Sequence, residues 1–187
     1  MSRQLYILRH AKSAWDTDAA SDFERPLAKR GLKDVPAMGA WMKAEKLIPE
    51  YVISSPAERA KQTVLGVCHE LDIKEKKITW DRRIYGADTE ELLEVLAEVP
   101  GKIHSVLLVG HNPGLESLAA FLVGDLSSKA AAMLDPAASG QGETGEYGLV
   151  KTATLLHLQT DLSWEELRQR CALLVRIQYP RSLPPAE

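Results

Sequence analysis

A three-layer α/β/α fold around one mostly parallel sheet is predicted by two patterns in the sequence. Short runs of aromatic and β-branched residues alternate with longer stretches of helical periodicity, the signature of a sheet covered by helices on both faces. Several of the runs also end in residues that carry chemistry: Arg9-His10 after the first, and Gly110-His111-Asn112 after a later one. The carboxyl ends of parallel strands share one edge of the sheet, so these residues are expected to meet in a crevice there.

Taken in order, Gln4–Leu8 and Tyr51–Ser54 read as buried strands. Between them Val35, Met38, Trp41 and Met42 recur at helical spacing, with Pro36 expected in the first turn or at a kink. Ser55 and Pro56 suit an N-cap and first helical position, and Ala60, Val64, Val67, Cys68 and Leu71 continue as an apolar stripe. A short strand is expected near Ile78–Trp80, then a helix from Thr89 to Val99 opened by an Asp88/Glu91 capping box. His104–Val109 is the third clear strand, followed by a helix from Gly114 that stops at Gly124. Residues 125–150 hold Pro136 and four glycines from Gly140 onward and read as a long mobile loop. Thr152–Leu158 restores strand character, and a Ser163/Glu166 capping box precedes Trp164, Leu167, Cys171, Leu174 and Val175 at spacings read as a last helix. One domain over residues 1–178 with a frayed tail at 179–187 is the expected organisation.

The formal net charge of −3 gives no broad cationic face, so neither nucleic acid nor an anionic membrane is an expected partner, and anion recognition must be local. The chain has no apolar run near the roughly 20 residues of a spanning helix, and MSRQLYIL does not read as a leader, so a cytoplasmic location is expected. Cys68 and Cys171, the only cysteines, read as buried free thiols.

Arginine offers a permanently charged, bidentate fork for phosphoryl oxygens, and Arg9 and Arg59 stand beside the two strand ends, Arg59 near a helix start where unpaired N–H groups favour an anion. A neutral imidazole is a competent nucleophile toward phosphorus, and a second can stabilise charge on the equatorial oxygens, which suits His10 and His111. Either histidine alone reads better as a structural residue, and a two-histidine metal site is conceivable; the pairing with arginines favours a site that needs no metal or cofactor.

The stretches LRHAKSAW at 8–15, ERPLAKRG at 24–31, SSPAERAKQT at 54–63, VGHNPGL at 109–115 and KTA at 151–153 together resemble the histidine phosphatase superfamily, phosphoglycerate mutase-like in fold, and within it the SixA-like phosphohistidine phosphatases. The resemblance implies phosphoryl transfer to His10, a phosphate pocket of Arg9, Arg59 and His111, hydrolysis of the phosphohistidine by water, and Arg25 of the RPL motif as an added phosphate ligand. Larger members of the superfamily protonate the leaving group with a carboxylic acid often placed just ahead of a Tyr-Gly pair. Here Arg82 occupies that place before Tyr85-Gly86, leaving Asp81, Asp22, Glu24 and Glu90 as lesser candidates.

A missing acid suits an N–P bond, since imidazole, with a pKa of about 6.5, leaves more readily than an alkoxide. The expected substrate is therefore a phosphohistidine protein, with inorganic phosphate as product. A small phosphorylated metabolite cleaved as a phosphomonoester or phosphoramidate is the alternative, with Asp135, Glu143 or Glu146 of the 125–150 loop as proton donor. A phosphate- or phosphoprotein-binding module without turnover is the non-enzymatic alternative. Trp15 reads as a residue lining the substrate approach, Trp41, Trp80 and Trp164 as core, and Lys12, His69, His104 and His157 as surface or structural residues.

Overall fold

The computed structural model describes residues 2–133 and 148–183. Its six-stranded sheet takes the order β3-β2-β4-β1-β5-β6. The strands are β1 (Arg3–Arg9), β2 (Tyr51–Ser54), β3 (Ile78–Trp80), β4 (Ser105–Gly110), β5 (Leu155–Thr160) and β6 (Leu173–Gln178). The helices are α1 (Lys29–Ala44), α2 (Glu58–Glu70), α3 (Thr89–Ala97), α4 (Gly114–Val123) and α5 (Leu126–Met133). Pairing is parallel across β3, β2, β4 and β1, and antiparallel where β5 joins β1 and β6 joins β5.

The alternation of side chains along the central strands explains the three layers. In β1 and β4, Leu5, Ile7, Val106 and Leu108 point to a core shared with α3, α4 and α5, while Tyr6, Leu8, Leu107 and Val109 point to one shared with α1 and α2. Both faces are therefore apolar, which is why these strands read as continuous hydrophobic runs.

Several expected boundaries shift for physical reasons. Pro36 lies inside α1 rather than in its first turn, and the helix continues to Ala44. Helix α2 starts at Glu58, three residues after the serine expected to cap it, because Ser55 turns its hydroxyl to the backbone N–H of Ala57 and to His111. The Asp88/Glu91 capping box of α3 and the stop of α4 at Gly124, with φ +88°, form as expected.

The largest correction is after Ser163. Its capping box with Glu166 forms, but it opens a single 3-10 turn at Trp164–Glu166, and the chain then extends into β6. The buried residues Leu174 and Ile177 of β6 fit a strand that lies against β5. Trp164 is buried and donates its indole N–H to the Ile103 carbonyl, whereas Trp80 stands at the exposed edge strand rather than in the core. Cys68 is buried and Cys171 only half-buried, both as free thiols.

The expected loop over 125–150 begins as helix α5, and its remainder at 134–147, with Asp135, Glu143 and Glu146, lies outside the described residues. Beyond β6, Tyr179 donates its hydroxyl proton to the Leu149 carbonyl and Leu183 packs on the α1/α2 core, while residues 184–187 of the expected frayed tail lie outside the described residues.

Leu108 sits in a strand covered on both faces and is fully buried. Its truncation, Leu108→Ala, is expected to cost about 2–5 kcal/mol, read as a lower midpoint of urea unfolding at an unchanged slope.

Candidate active site

The strand register brings the site together. Arg9 pairs with Gly110 and Ser54 with Val109, so the residues that follow each strand, His10, His111 and Ser55, emerge at one level. The His10 N–H donates to the Gly110 carbonyl at 3.0 Å and the Ser55 N–H to the Val109 carbonyl at 3.0 Å, extending the ladder by one step on each side. The first turn of α2 adds Arg59, tied to the loop after His10 through Thr63. The Thr63 hydroxyl donates to the Arg59 carbonyl at 2.6 Å and accepts the Ala11 N–H at 3.0 Å.

His10 and His111 are buried, with ring centroids 5.1 Å apart. Nδ1 of His10 lies 2.8 Å from the Ala11 carbonyl, which can only accept, so the ring proton is assigned to Nδ1. Nε2 then carries the lone pair, and the Arg59 Nε–H donates to it at 3.3 Å. Burial pushes the His10 pKa well below its ordinary value; the Ala11 carbonyl opposes this, and His111, Arg59 and Arg9 add to it.

On His111, Nε2 lies 2.8 Å from Ser55 Oγ, which also accepts the Ala57 N–H. The serine proton is thus available to Nε2, which assigns the imidazole proton to Nδ1, a buried atom with no protein partner among the described residues. Burial first, then the charges of Arg59 and Arg9, lower the His111 pKa to about 3, against a smaller opposing effect of Asp22.

Arg59 is itself buried, and its remaining N–H groups meet Asp22 of the 3-10 turn Asp22–Glu24. Nη1 donates to the Asp22 carbonyl at 2.6 Å and Nη2 to its carboxylate at 2.9 Å. The same carboxylate accepts the Tyr85 hydroxyl at 2.8 Å and Arg25 Nε at 2.9 Å. Partial desolvation raises the Asp22 pKa, but the bonds from Tyr85 and Arg59 and the charges of Arg59 and Arg25 outweigh it and hold the pKa at about 2. Arg9, half-buried at the end of β1, donates Nη1 to the Val150 carbonyl at 2.9 Å.

Arg9, His10, Arg59 and His111 are thus gathered as the strand-end argument expects. Arg25 reaches the group through Asp22, and its guanidinium lies 3.8 Å from the ring centre of the exposed Trp15. Of the candidate acids among the described residues, Asp81, Asp22, Glu24 and Glu90, it is Asp22 that bonds to Arg59. Asp81 is bound by the Arg83 side chain and backbone, Glu24 accepts from Ser21, and Glu90 is exposed. Among the described residues no three of His, Cys, Asp or Glu gather in a metal-binding geometry.

Reading the sequence alone leaves Ser55, Tyr85 and Val150 out of the site. Ser55 was legible as part of SSPAERAKQT but looked like a helix cap, Tyr85 acts through Asp22, and Val150 contributes only a carbonyl, which no side-chain pattern reveals.

The low histidine pKa values have a definite sign for stability. Both imidazoles are neutral in the fold, while in the unfolded chain each takes a proton near pH ~6.5, so stability falls as pH drops below that value. For His111 the loss continues down to its folded pKa of about 3, whereas Asp22 adds a loss only from its ordinary pKa of 3.8 down to about 2. His111→Gln is expected to lessen the slope of unfolding free energy against pH in the histidine window by about 1.4 kcal/mol per pH unit. Urea unfolding across that window measures it, and an unchanged slope would put the His111 pKa near its ordinary value.

The chain is similar to known proteins over most of its length. Residues 5–122 match the histidine phosphatase superfamily (branch 1). An uncharacterised protein of Mycobacterium tuberculosis is 29% identical over 174 residues, 93% of this chain and 100% of the relative. The phosphohistidine phosphatase SixA of Escherichia coli is 32% identical over 124 residues, 66% of this chain and 73% of the relative. A solved structure described as a candidate phosphohistidine phosphatase SixA from Nakamurella multipartitia superposes with a TM-score of 0.75 at 27% identity, covering 96% of this chain and 97% of its own. With a strand register that sets two neutral histidines beside buried arginine, and a match over most of its length, the chain belongs to branch 1 of the histidine phosphatase superfamily.

Proposed function

We propose that the protein is a phosphohistidine phosphatase that carries the phosphoryl group on Nε2 of His10. The observation behind this reading is the state of that ring. Its proton is tied to the Ala11 carbonyl, its lone pair faces the buried Arg59 guanidinium, and the neutral His111 ring stands beside it. In the first step the Nε2 lone pair forms a bond to phosphorus as the P–N bond of the substrate breaks, and the substrate imidazole, protonated beforehand on its other ring nitrogen, departs with that electron pair as neutral imidazole. Arg9 and Arg59 neutralise the phosphoryl oxygens, and Nδ1 of His111 donates to one of them. Water then attacks phosphorus, the P–Nε2 bond breaks, and inorganic phosphate leaves.

The leaving group is what favours phosphohistidine. Asp81 is engaged by Arg83, and Asp22 is held ionised, so neither presents a proton for an alkoxide. Imidazole leaves without a strong acid. The name of the Escherichia coli relative points the same way. His10→Ala is expected to lower turnover of a phosphohistidine peptide by at least ~10³-fold while tungstate still binds, because the arginines remain. Phosphate release with EDTA present, together with calorimetric titration of tungstate, tests it; turnover near wild type would exclude His10 as nucleophile.

A second reading, cleavage of a small phosphate ester, is favoured by one feature: the Asp22 carboxylate already sits on Arg59. A dianionic phosphoryl group competing for Arg59 and Arg25 would free that carboxylate and raise its pKa, making it a proton donor. Under the leading reading Asp22 is only an internal competitor, and Asp22→Asn should tighten tungstate binding by about three- to tenfold with little change in phosphohistidine turnover. A collapse of para-nitrophenyl phosphate and alkyl phosphate turnover in that variant would instead support the ester reading.

A further inference from the structure

The Val150 carbonyl that holds Arg9 belongs to a stretch without regular secondary structure, so something else must fix it. It accepts from Arg9 Nη1 at 2.9 Å and from Asn112 Nδ2 at 2.8 Å. The two peptide groups that precede it are held by one side chain, Glu116, in the first turn of α4. Its carboxylate accepts the Leu149 N–H at 3.0 Å, the Val150 N–H at 2.9 Å and Asn112 Nδ2 at 3.2 Å. Tyr179 completes the fastening from the other side with its bond to the Leu149 carbonyl, and the Val150 side chain is fully buried.

The chemistry at this clamp calls for a carboxylate. Three N–H groups converge on it, so only an acceptor-only group satisfies them all, and the first turn of a helix favours its negative charge. A glutamine would turn an N–H₂ toward backbone donors. Gly148 is matched to the same carboxylate: its φ is +99°, and a Cβ there would stand 2.7 Å from Glu116 Oε2.

We infer that Glu116 is a positioning residue for the phosphate-binding guanidinium of Arg9, acting through the Leu149–Val150 backbone. The inference rests on the reading that Arg9 binds the phosphoryl group. Glu116 itself does not touch His10, Arg59 or His111. A phosphoryl ligand would meet an Arg9 fork whose plane is set in advance, so less ordering is required on binding.

A double-mutant cycle on the full chain tests this, with tungstate affinity from calorimetric titration and melting temperature measured alongside. Glu116→Gln is expected to weaken tungstate binding about tenfold and to raise KM for the phosphohistidine peptide more than it lowers kcat. In an Arg9→Ala background the same change should have almost no further effect. Equal losses in both backgrounds, or no loss in the single variant, would overturn the inference. If Arg9→Ala alone leaves tungstate affinity unchanged, the reading of Arg9 as a phosphate ligand fails instead, and the two failures are distinct. Should Glu116→Gln not fold, Gly148→Ala decides, since it pushes on the same carboxylate and should show the same loss with the same dependence on Arg9.

Discussion

The neutrality of His10 is the constraint around which the site is organised. A buried imidazole among guanidinium groups is costly to protonate, because burial removes water and the neighbouring positive charges repel a further one. The fold reinforces this by giving the ring proton a fixed acceptor, the Ala11 carbonyl, and by leaving Nε2 with its lone pair toward Arg59. The same surroundings that disfavour protonation therefore define which nitrogen keeps its lone pair. Holding that geometry requires rigid support, and the hydroxyl of Thr63 and the parallel ladder between β1 and β4 supply it from two directions.

Concentrating arginines in a partly desolvated crevice has its own cost, which a protein meets with counter-charges. For Arg59 and Arg25 the counter-charge is the Asp22 carboxylate. Asp22 sits on an exposed 3-10 turn, reaches Arg59 and Arg25 together, and is steadied by Tyr85. Because its side chain is about half exposed, the pairing is screened by water and can be exchanged for a more highly charged ligand without leaving a carboxylate stranded in an apolar interior. Arg9 is treated differently. One of its contacts is a backbone carbonyl, the neutral Val150 C=O, next to peptide groups that Glu116 holds.

The organisation of this chain was largely legible where local chemistry and burial agree. The apolar runs of β1, β2 and β4 are covered on both faces, so their pattern could hardly mean anything else. The Asp88 capping box and the Gly124 stop are local hydrogen-bond and dihedral requirements, satisfied within a few residues. The misreading after Ser163 has the opposite origin. A capping box signals that a turn begins, not how long it lasts, and pairing with β5 outweighed helical spacing over Cys171–Val175. Ser55 likewise looked like a cap because that is what a serine before a proline does locally, whereas a histidine from another strand claimed its hydroxyl.

By itself the sequence determined the family, the strand ends that bear His10 and His111, and the arginines that accompany them, since these depend on short contiguous motifs and on the periodicity of burial. Only the tertiary structure decided which nitrogen of each histidine carries the proton, that Asp22 rather than Asp81 faces the site arginines, and that Glu116 holds the peptide groups next to the carbonyl behind Arg9. Those are matters of a few tenths of an ångström between groups far apart in the chain. They follow from strand register and helix placement, which the whole core sets and no single segment encodes.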